Sequence, residues 1–150
     1  MSDNPHITAL RVRDYMSRQP LTVRPDDEIM HVVYQLTQHD VSGVVVVDDD
    51  DAVVGILTER DCIRMAVAAG YHDQLGGTVA EYMTAPVHSV AADDNILDLA
   101  ELFARSPFRR CPVVDDGRLV GLISRRDVLR ALTAGAWFDT GHPPIMGRSK

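Results

Sequence analysis

A chain of 150 residues, 45% hydrophobic and 25% charged, holds material for one or two small cores and excludes a large multidomain enzyme. Fifteen Lys and Arg against 22 Asp and Glu leave a net charge of −7, which argues against broad binding to DNA, RNA or anionic lipid, where phosphate neutralisation dominates affinity. No apolar run approaches the roughly 20 residues of a membrane span, and Met1-Ser2-Asp3-Asn4-Pro5 lacks the basic and apolar regions of a secretory signal. The expected compartment is the cytoplasm, with neither nucleic acid nor membrane as partner.

Residues 1–10 read as a loose arm. Beyond them the chain repeats itself: Val12-Arg13-Asp14-Tyr15-Met16 returns as Val79-Ala80-Glu81-Tyr82-Met83, and Val46-Val47-Asp48-Asp49 as Val113-Val114-Asp115-Asp116. With one residue lost in the following turn, Gly55-Ile56-Leu57-Thr58-Glu59-Arg60-Asp61 returns as Gly121-Leu122-Ile123-Ser124-Arg125-Arg126-Asp127. Self-similarity of this kind is the signature of one structural unit used twice.

Each copy predicts the same elements in the same order. A short extended stretch (Leu21 to Val23; His88 to Val90) leads to an acidic helix start at Asp26 or Asp93. Ile29, Val32, Val33 and Leu36, and then Ile96, Leu99, Ala100 and Phe103, recur at helical spacing and give each helix one apolar face. The β-branched run Val44 to Val47 pairs with Val53 to Leu57 across the acidic turn Asp48 to Asp51, and Cys111 to Val114 with Leu119 to Ile123 across Asp115-Asp116-Gly117, as buried hairpins. A second helix runs from Glu59 towards Ala69 and from Arg125 towards Ala134, with Gly70 and Gly135 as stops.

The expected fold is α+β: two strand-helix-strand-strand-helix repeats, 11–70 and 79–136, packed by pseudo-twofold symmetry with clefts where their sheets meet. Residues 71–78 form a polar linker, and 137–150 form an aperiodic tail whose Trp137-Phe138 pair is apolar enough to pack on the body or on a partner. Cys62 and Cys111 read as buried free thiols, and the six histidines show no metal-ligand spacing. His31 and His39 fall on the outer face of a helix. No nucleophile–base pair and no phosphate-binding glycine loop appears, so no catalytic residue is assigned and an enzyme is not expected.

Gly-apolar-apolar-Thr/Ser-x-Arg-Asp closing each repeat, preceded by apolar-Val-Val-Asp-Asp and by a Met-Ser/Thr segment, resembles the cystathionine β-synthase (CBS) domain, here as the tandem pair called a Bateman module. The resemblance covers residues 8 to 136. It implies a regulatory module that binds adenosine-containing ligands such as AMP, ADP, ATP or S-adenosylmethionine and signals to a regulated protein. It also implies a homodimer, commonly a flat disk of four CBS units.

The residues themselves leave two readings open. Thr58/Asp61 and Ser124/Asp127 have the spacing of a capping box, which alone would account for both pairs. A carboxylate is also an acceptor that can take both hydroxyls of a ribose, and the resemblance gives this acid that role. Arg60 and Arg126 lie beside free helix amides that favour an anion. In the family, basic side chains at the positions of Arg109 and Arg110 often reach phosphates; the first copy has Ser42 and Gly43 there.

The family pattern combines Thr58, Arg60 and Asp61 with Ser89, Val90, Arg109 and Arg110 in a first cleft. Ser124, Arg126 and Asp127 join Thr22, Val23, Val41 and Ser42 in a second. The first is expected to prefer phosphorylated ligands; the second to take a less charged adenosine compound or stay empty. Val23, Val90, Val41 and Phe108 are candidates for packing against adenine, each valine being at least as readable as ordinary core. Two positions depart from the family pattern: Val45 stands where the second copy has Pro112, and Val87 stands where the first strand usually begins with proline. The competing function is a constitutive dimerising adaptor with no bound nucleotide.

Overall fold

The computed structural model describes residues 10–72 and 75–134; the tail from 137 and nearly all of the arm lie outside them, as does Gly135. A 3-10 turn at Val12–Asp14 precedes β1 (Ser17–Arg18), β2 (Thr22–Val23), α1 (Ile29–His39), β3 (Gly43–Val47), β4 (Val53–Thr58) and α2 (Glu59–His72). The second half comprises α3 (Val79–Tyr82), α4 (Ile96–Ala104), β5 (Arg110–Asp115), β6 (Arg118–Ser124) and α5 (Arg125–Thr133).

The α+β expectation holds. One sheet has the order β2-β3-β4 and the other β1-β6-β5. β3 is central in its sheet and buried along its whole length, as a continuous Gly-Val-Val-Val-Val run requires. β2 runs parallel to it, with Thr22 opposite Val45 and Val23 opposite Val46, while β4 is antiparallel. In the other sheet β5 and β6 form the matching hairpin, and Val90 bridges Val113 in parallel as Val23 does Val46.

The third strand of the second sheet comes from the first repeat. β1 lies antiparallel to β6, with Ser17 opposite Leu122 and Arg18 opposite Gly121, and Thr84 makes the reciprocal bridge to Ile56. The Val12 and Arg13 amides donate to the carbonyls of Asp94 and Ala92, while those of Val79 and Ala80 donate to Asp27 and Pro25. Each core therefore takes its opening segment from the other repeat: Val12 is buried with Ile96, Leu99 and Ile123, and Val79 with Ile29, Val32 and Leu57.

The exchange requires glycine on the receiving strands. A Cβ on Gly55 would stand 2.5 Å from Met83 Sδ and 3.1 Å from the Thr84 carbonyl oxygen. One on Gly121 would stand 2.5 Å from Met16 Sδ and 2.9 Å from the Ser17 carbonyl oxygen.

Three local expectations are corrected. The first helix of each repeat starts at Ile29 or Ile96, capped by Glu28 and Asn95 and not by the expected Asp26 and Asp93: Asp26 is exposed, Asp93 pairs with Arg13, and the acids that follow them, Asp27 and Asp94, accept from the Arg24 and Ala91 amides in the preceding turn. Gly70 does not stop α2, which continues through Tyr71 to His72 and so takes up the start of the expected linker. In the second repeat only Val90 pairs, so its first strand shrinks to a single bridge.

Both helix pairs keep an apolar outer face. Tyr34, Ile63, Val67 and Tyr71 are exposed on the first, and Leu97, Leu129 and Leu132 on the second, where a groove of about 440 Å³ runs between α4 and α5. His31 and His39 are exposed and both thiols are buried and free, as the sequence indicates. No helix among the described residues is long and apolar enough to cross a membrane.

Candidate functional site

β4 passes directly into α2, and the junction is held by its own side chains. The Asp61 amide donates to Thr58 Oγ1 at 3.2 Å, while the Thr58 amide and hydroxyl donate to Asp61 Oδ2 at 2.9 and 3.0 Å. This is a complete capping box, satisfying donors that helix geometry leaves without partners. The β6–α5 junction repeats it with Ser124 and Asp127.

Asp61 does more than cap. The opposite repeat presents Thr84, whose hydroxyl donates to both carboxylate oxygens at 3.2 and 3.3 Å, and Arg64 donates to Oδ1 at 2.5 Å. These partners offset the cost of a carboxylate that is only 3% exposed.

Asp61 opens onto a cleft of about 660 Å³ between the repeats, within the usual range of roughly 300–1,000 Å³ for small-molecule sites. Thr58, Glu59, Arg60, Asp61 and Arg64 line one wall, with Ile56 beneath them; Pro86, Val87, His88, Pro107, Phe108, Arg109 and Arg110 line the other. Arg110 runs over Gly43, where a Cβ would come within 2.9 Å of its Nη1, and donates to Ser42 Oγ. Burial pushes the Arg110 guanidinium below its ordinary value; Glu59 opposes the shift and the adjacent Arg109 adds to it. A partly desolvated guanidinium beside a second one is an electrostatic site for an anion, because each new negative partner relieves both costs.

The second wall also carries an aromatic surface. The His88 and Phe108 rings are stacked at 6.0 Å and 18°, and Phe103 meets Phe108 edge-on at 6.0 Å from inside the core. The His88 carbonyl accepts from the Cys111 thiol, with Sγ at 3.0 Å. Burial, with Asp94 adding, pushes that thiol up to about 12, so it stays protonated and can keep donating.

The structure gathers Thr58, Arg60, Asp61, Arg109 and Arg110 on one cleft, five of the seven residues that the family resemblance implies for the first site. Ser89 and Val90 are absent from its lining. Val90 packs on the core of its own repeat, and the preceding residues Pro86, Val87 and His88 take the place on the wall. Phe108 lines the cleft as expected, and Val23 is core.

Ser42, assigned to the second cleft, lines the first instead, because Arg110 reaches across Gly43 to its hydroxyl. Of the other residues given to the second cleft, Thr22, Val41 and Arg126 are exposed, and Ser124 and Asp127 form their capping box. At that junction Arg130 donates both to Asp127 Oδ1 and to the Tyr15 carbonyl.

Sequence reasoning missed Thr84, Arg64 and His88. Thr84 had a signal: it follows Tyr82-Met83 as Ser17 follows Tyr15-Met16, and both segments cross to the opposite sheet. Among the described residues no group of three or more His, Cys, Asp or Glu is placed to hold a metal ion.

The CBS domain model matches the chain twice, at residues 12–68 and 79–134. A 17.7 kDa protein from Acidianus ambivalens is 32% identical over 136 residues, spanning 90% of this chain and 80% of its own length. Among solved structures, CBSX2 in complex with AMP superposes with a TM-score of 0.74 at 28% identity, covering 83% of this chain and 96% of that one. The CBS domain pair of protein MJ0100 in complex with 5′-methylthioadenosine and S-adenosyl-L-methionine gives a TM-score of 0.71 at 27% identity, with 84% and 98% covered.

Proposed function

The chain belongs to the CBS domain family as a tandem pair, and from that premise we propose that it is a regulatory module whose first cleft takes a phosphorylated adenosine compound. Asp61 accepts the ribose hydroxyls, with Thr58 and Thr84 orienting the carboxylate. Arg60, Arg109 and Arg110 take the phosphates, and the base lies against Phe108, Val87 and Ile56. For a second site at Ser124, Arg126 and Asp127, with Thr22, Val23 and Val41 as the candidate partners, the opposite repeat offers Ser42 and Gly43 where the first site has Arg109 and Arg110, which suits a less charged adenosine compound. The complexes of CBSX2 with AMP and of the MJ0100 pair with S-adenosyl-L-methionine support this ligand class.

The apolar outer faces of α1/α2 and α4/α5 pack against a second copy of the chain, giving a homodimer. A ligand bridging two repeats then shifts the arrangement read by a regulated protein, by no more than its difference in affinity between the two states.

One observation carries the reading: a buried acid from one repeat and an arginine pair from the other line a single cleft. Calorimetry and thermal unfolding with AMP, ATP and S-adenosylmethionine test it. At 100 times its dissociation constant a bound nucleotide stabilises the native state by about 2.7 kcal/mol, and this gain should vanish in an Asp61→Ala, Asp127→Ala double variant. The complete capping boxes favour a second reading, a constitutive dimerising adaptor in which these acids only cap. A wild-type chain that dimerises and ignores all three ligands selects it.

A further inference from the structure

We propose that Arg64 is a displaceable internal cation that makes the first cleft select adenosine compounds carrying an anionic group over neutral ones. The inference rests on the ribose role given to Asp61 above.

Asp61 is the charged side chain that the described residues bury most completely, and its two oxygens have different commitments. Oδ2 holds the capping box through the amide and hydroxyl of Thr58. Oδ1 is the oxygen to which Arg64 donates at 2.5 Å, with the Thr84 hydroxyl shared between the two. A sugar that binds through both hydroxyls needs acceptor sites on this carboxylate, and Arg64 holds the open one. Arg64 is the part that can leave: its side chain is 63% exposed and it lines the same cleft.

What happens to Arg64 afterwards depends on the ligand. A neutral nucleoside takes its partner and leaves the guanidinium in a cleft already holding Arg60, Arg109 and Arg110, so part of the binding energy is lost to like-charge crowding. A ligand with a phosphate gives Arg64 a new anion within reach of the same cleft, and the displaced ion pair is replaced. The cation thus penalises one class and rewards the other. Arg109 and Arg110 reward an anion directly and penalise a neutral ligand only by crowding the displaced Arg64, because neither holds the acid that the ribose requires. At the second junction Arg130 is also anchored to the Tyr15 carbonyl at 3.1 Å, so the corresponding cation is tethered.

The test titrates the full chain and its Arg64→Gln and Arg64→Lys variants with adenosine and with AMP by calorimetry. Arg64→Gln should bind adenosine about fivefold more tightly and AMP about fivefold more weakly, while Arg64→Lys keeps the wild-type preference within about twofold. Opposite signs for two ligands of one site are a result that general damage to the fold cannot produce. An unchanged AMP-to-adenosine ratio in Arg64→Gln, equal weakening of both ligands, or loss of the preference in Arg64→Lys overturns the role of Arg64 while leaving the site itself standing. If the wild-type chain binds neither ligand, the adenosine reading falls and this inference with it.

Discussion

At Thr58–Asp61 and at Ser124–Asp127 the chain builds the same turn twice. The amide and hydroxyl of the first residue reach Oδ2 of the acid at 2.9 and 3.0 Å in both, and the acid's amide reaches the hydroxyl at 3.2 Å in both. What separates the junctions is the material the opposite repeat delivers. The first receives Thr84, Phe108, Arg109 and Arg110, whereas the matching positions for the second are Ser17, Val41, Ser42 and Gly43. Asp61 is 3% exposed and Asp127 15%, so the same motif carries a more fully desolvated charge at the junction with more partners. The repeat fixes backbone geometry, and the pre-strand turn of its twin fixes the chemistry.

The exchange of opening segments makes this possible, so the largest effect should come from blocking it. Alanine at Gly121 puts a methyl against the Ser17 carbonyl oxygen at 2.9 Å as well as against Met16; at Gly55 the nearest backbone atom stands at 3.1 Å. A methionine sulfur can move aside, but a paired strand's carbonyl cannot move without breaking its ladder. Gly121→Ala should therefore cost about 3 kcal/mol and Gly55→Ala about 1.5 kcal/mol, measured by urea unfolding. Equal costs would mean that the two crossings are mechanically alike.

A smaller effect is expected from making the clefts chemically alike. Replacing Arg109 and Arg110 with the Ser and Gly of the first repeat removes two guanidinium groups while leaving Asp61 and both capping boxes in place. ATP affinity should fall about tenfold or more, and its salt dependence should flatten. Adenosine affinity should instead rise modestly, because the displaced Arg64 then meets fewer like charges in the cleft. A variant that keeps both the affinity for ATP and its salt dependence would move the phosphates to other residues.

The parts of this molecule legible in the sequence are those written locally. Helical spacing exposed the inner faces of α1 and α4, β-branched runs exposed the hairpins, and the repeated Thr/Ser-x-x-Asp exposed the two junctions. The helices start three residues beyond Asp26 and Asp93, which are caps by type only: a turn closed by Asp27 and Asp94 intervenes, and Glu28 and Asn95 cap. The exchange itself left only an indirect trace. A glycine in a strand signals close approach of something, but Gly55 and Gly121 do not say that Met83 and Met16 from the other half are what approaches. Ser42 was sent to the wrong cleft for the same reason, since nothing local reveals that Arg110 crosses to reach it. His88 was missed because its place on the wall follows from its neighbours' pairing.

That pairing is where the repeats differ most subtly, and it can be exchanged. In the first repeat the Val45 amide donates to the Leu21 carbonyl at 3.5 Å, and β2 forms beside it. Pro112, at the matching position, has no amide hydrogen. The carbonyl of His88, which matches Leu21, accepts from the Cys111 thiol instead, and the strand shrinks to the single bridge at Val90. Pro112→Val restores the donor but gives up the restraint proline places on the unfolded chain, worth about 0.4–1 kcal/mol. A neutral hydrogen bond returns about 0.5–1.5 kcal/mol, so the two nearly cancel and global stability should shift by less than about 1 kcal/mol. Hydrogen exchange reads the change directly: the new amide at 112 should be protected like that of Val45, and the His88 side chain should lose its stacking on Phe108 as its backbone is drawn into the sheet. An unprotected amide would show that the short strand is imposed by Pro86 and Val87 upstream, which would place the origin of the cleft's aromatic wall in the crossing segment and not in β5.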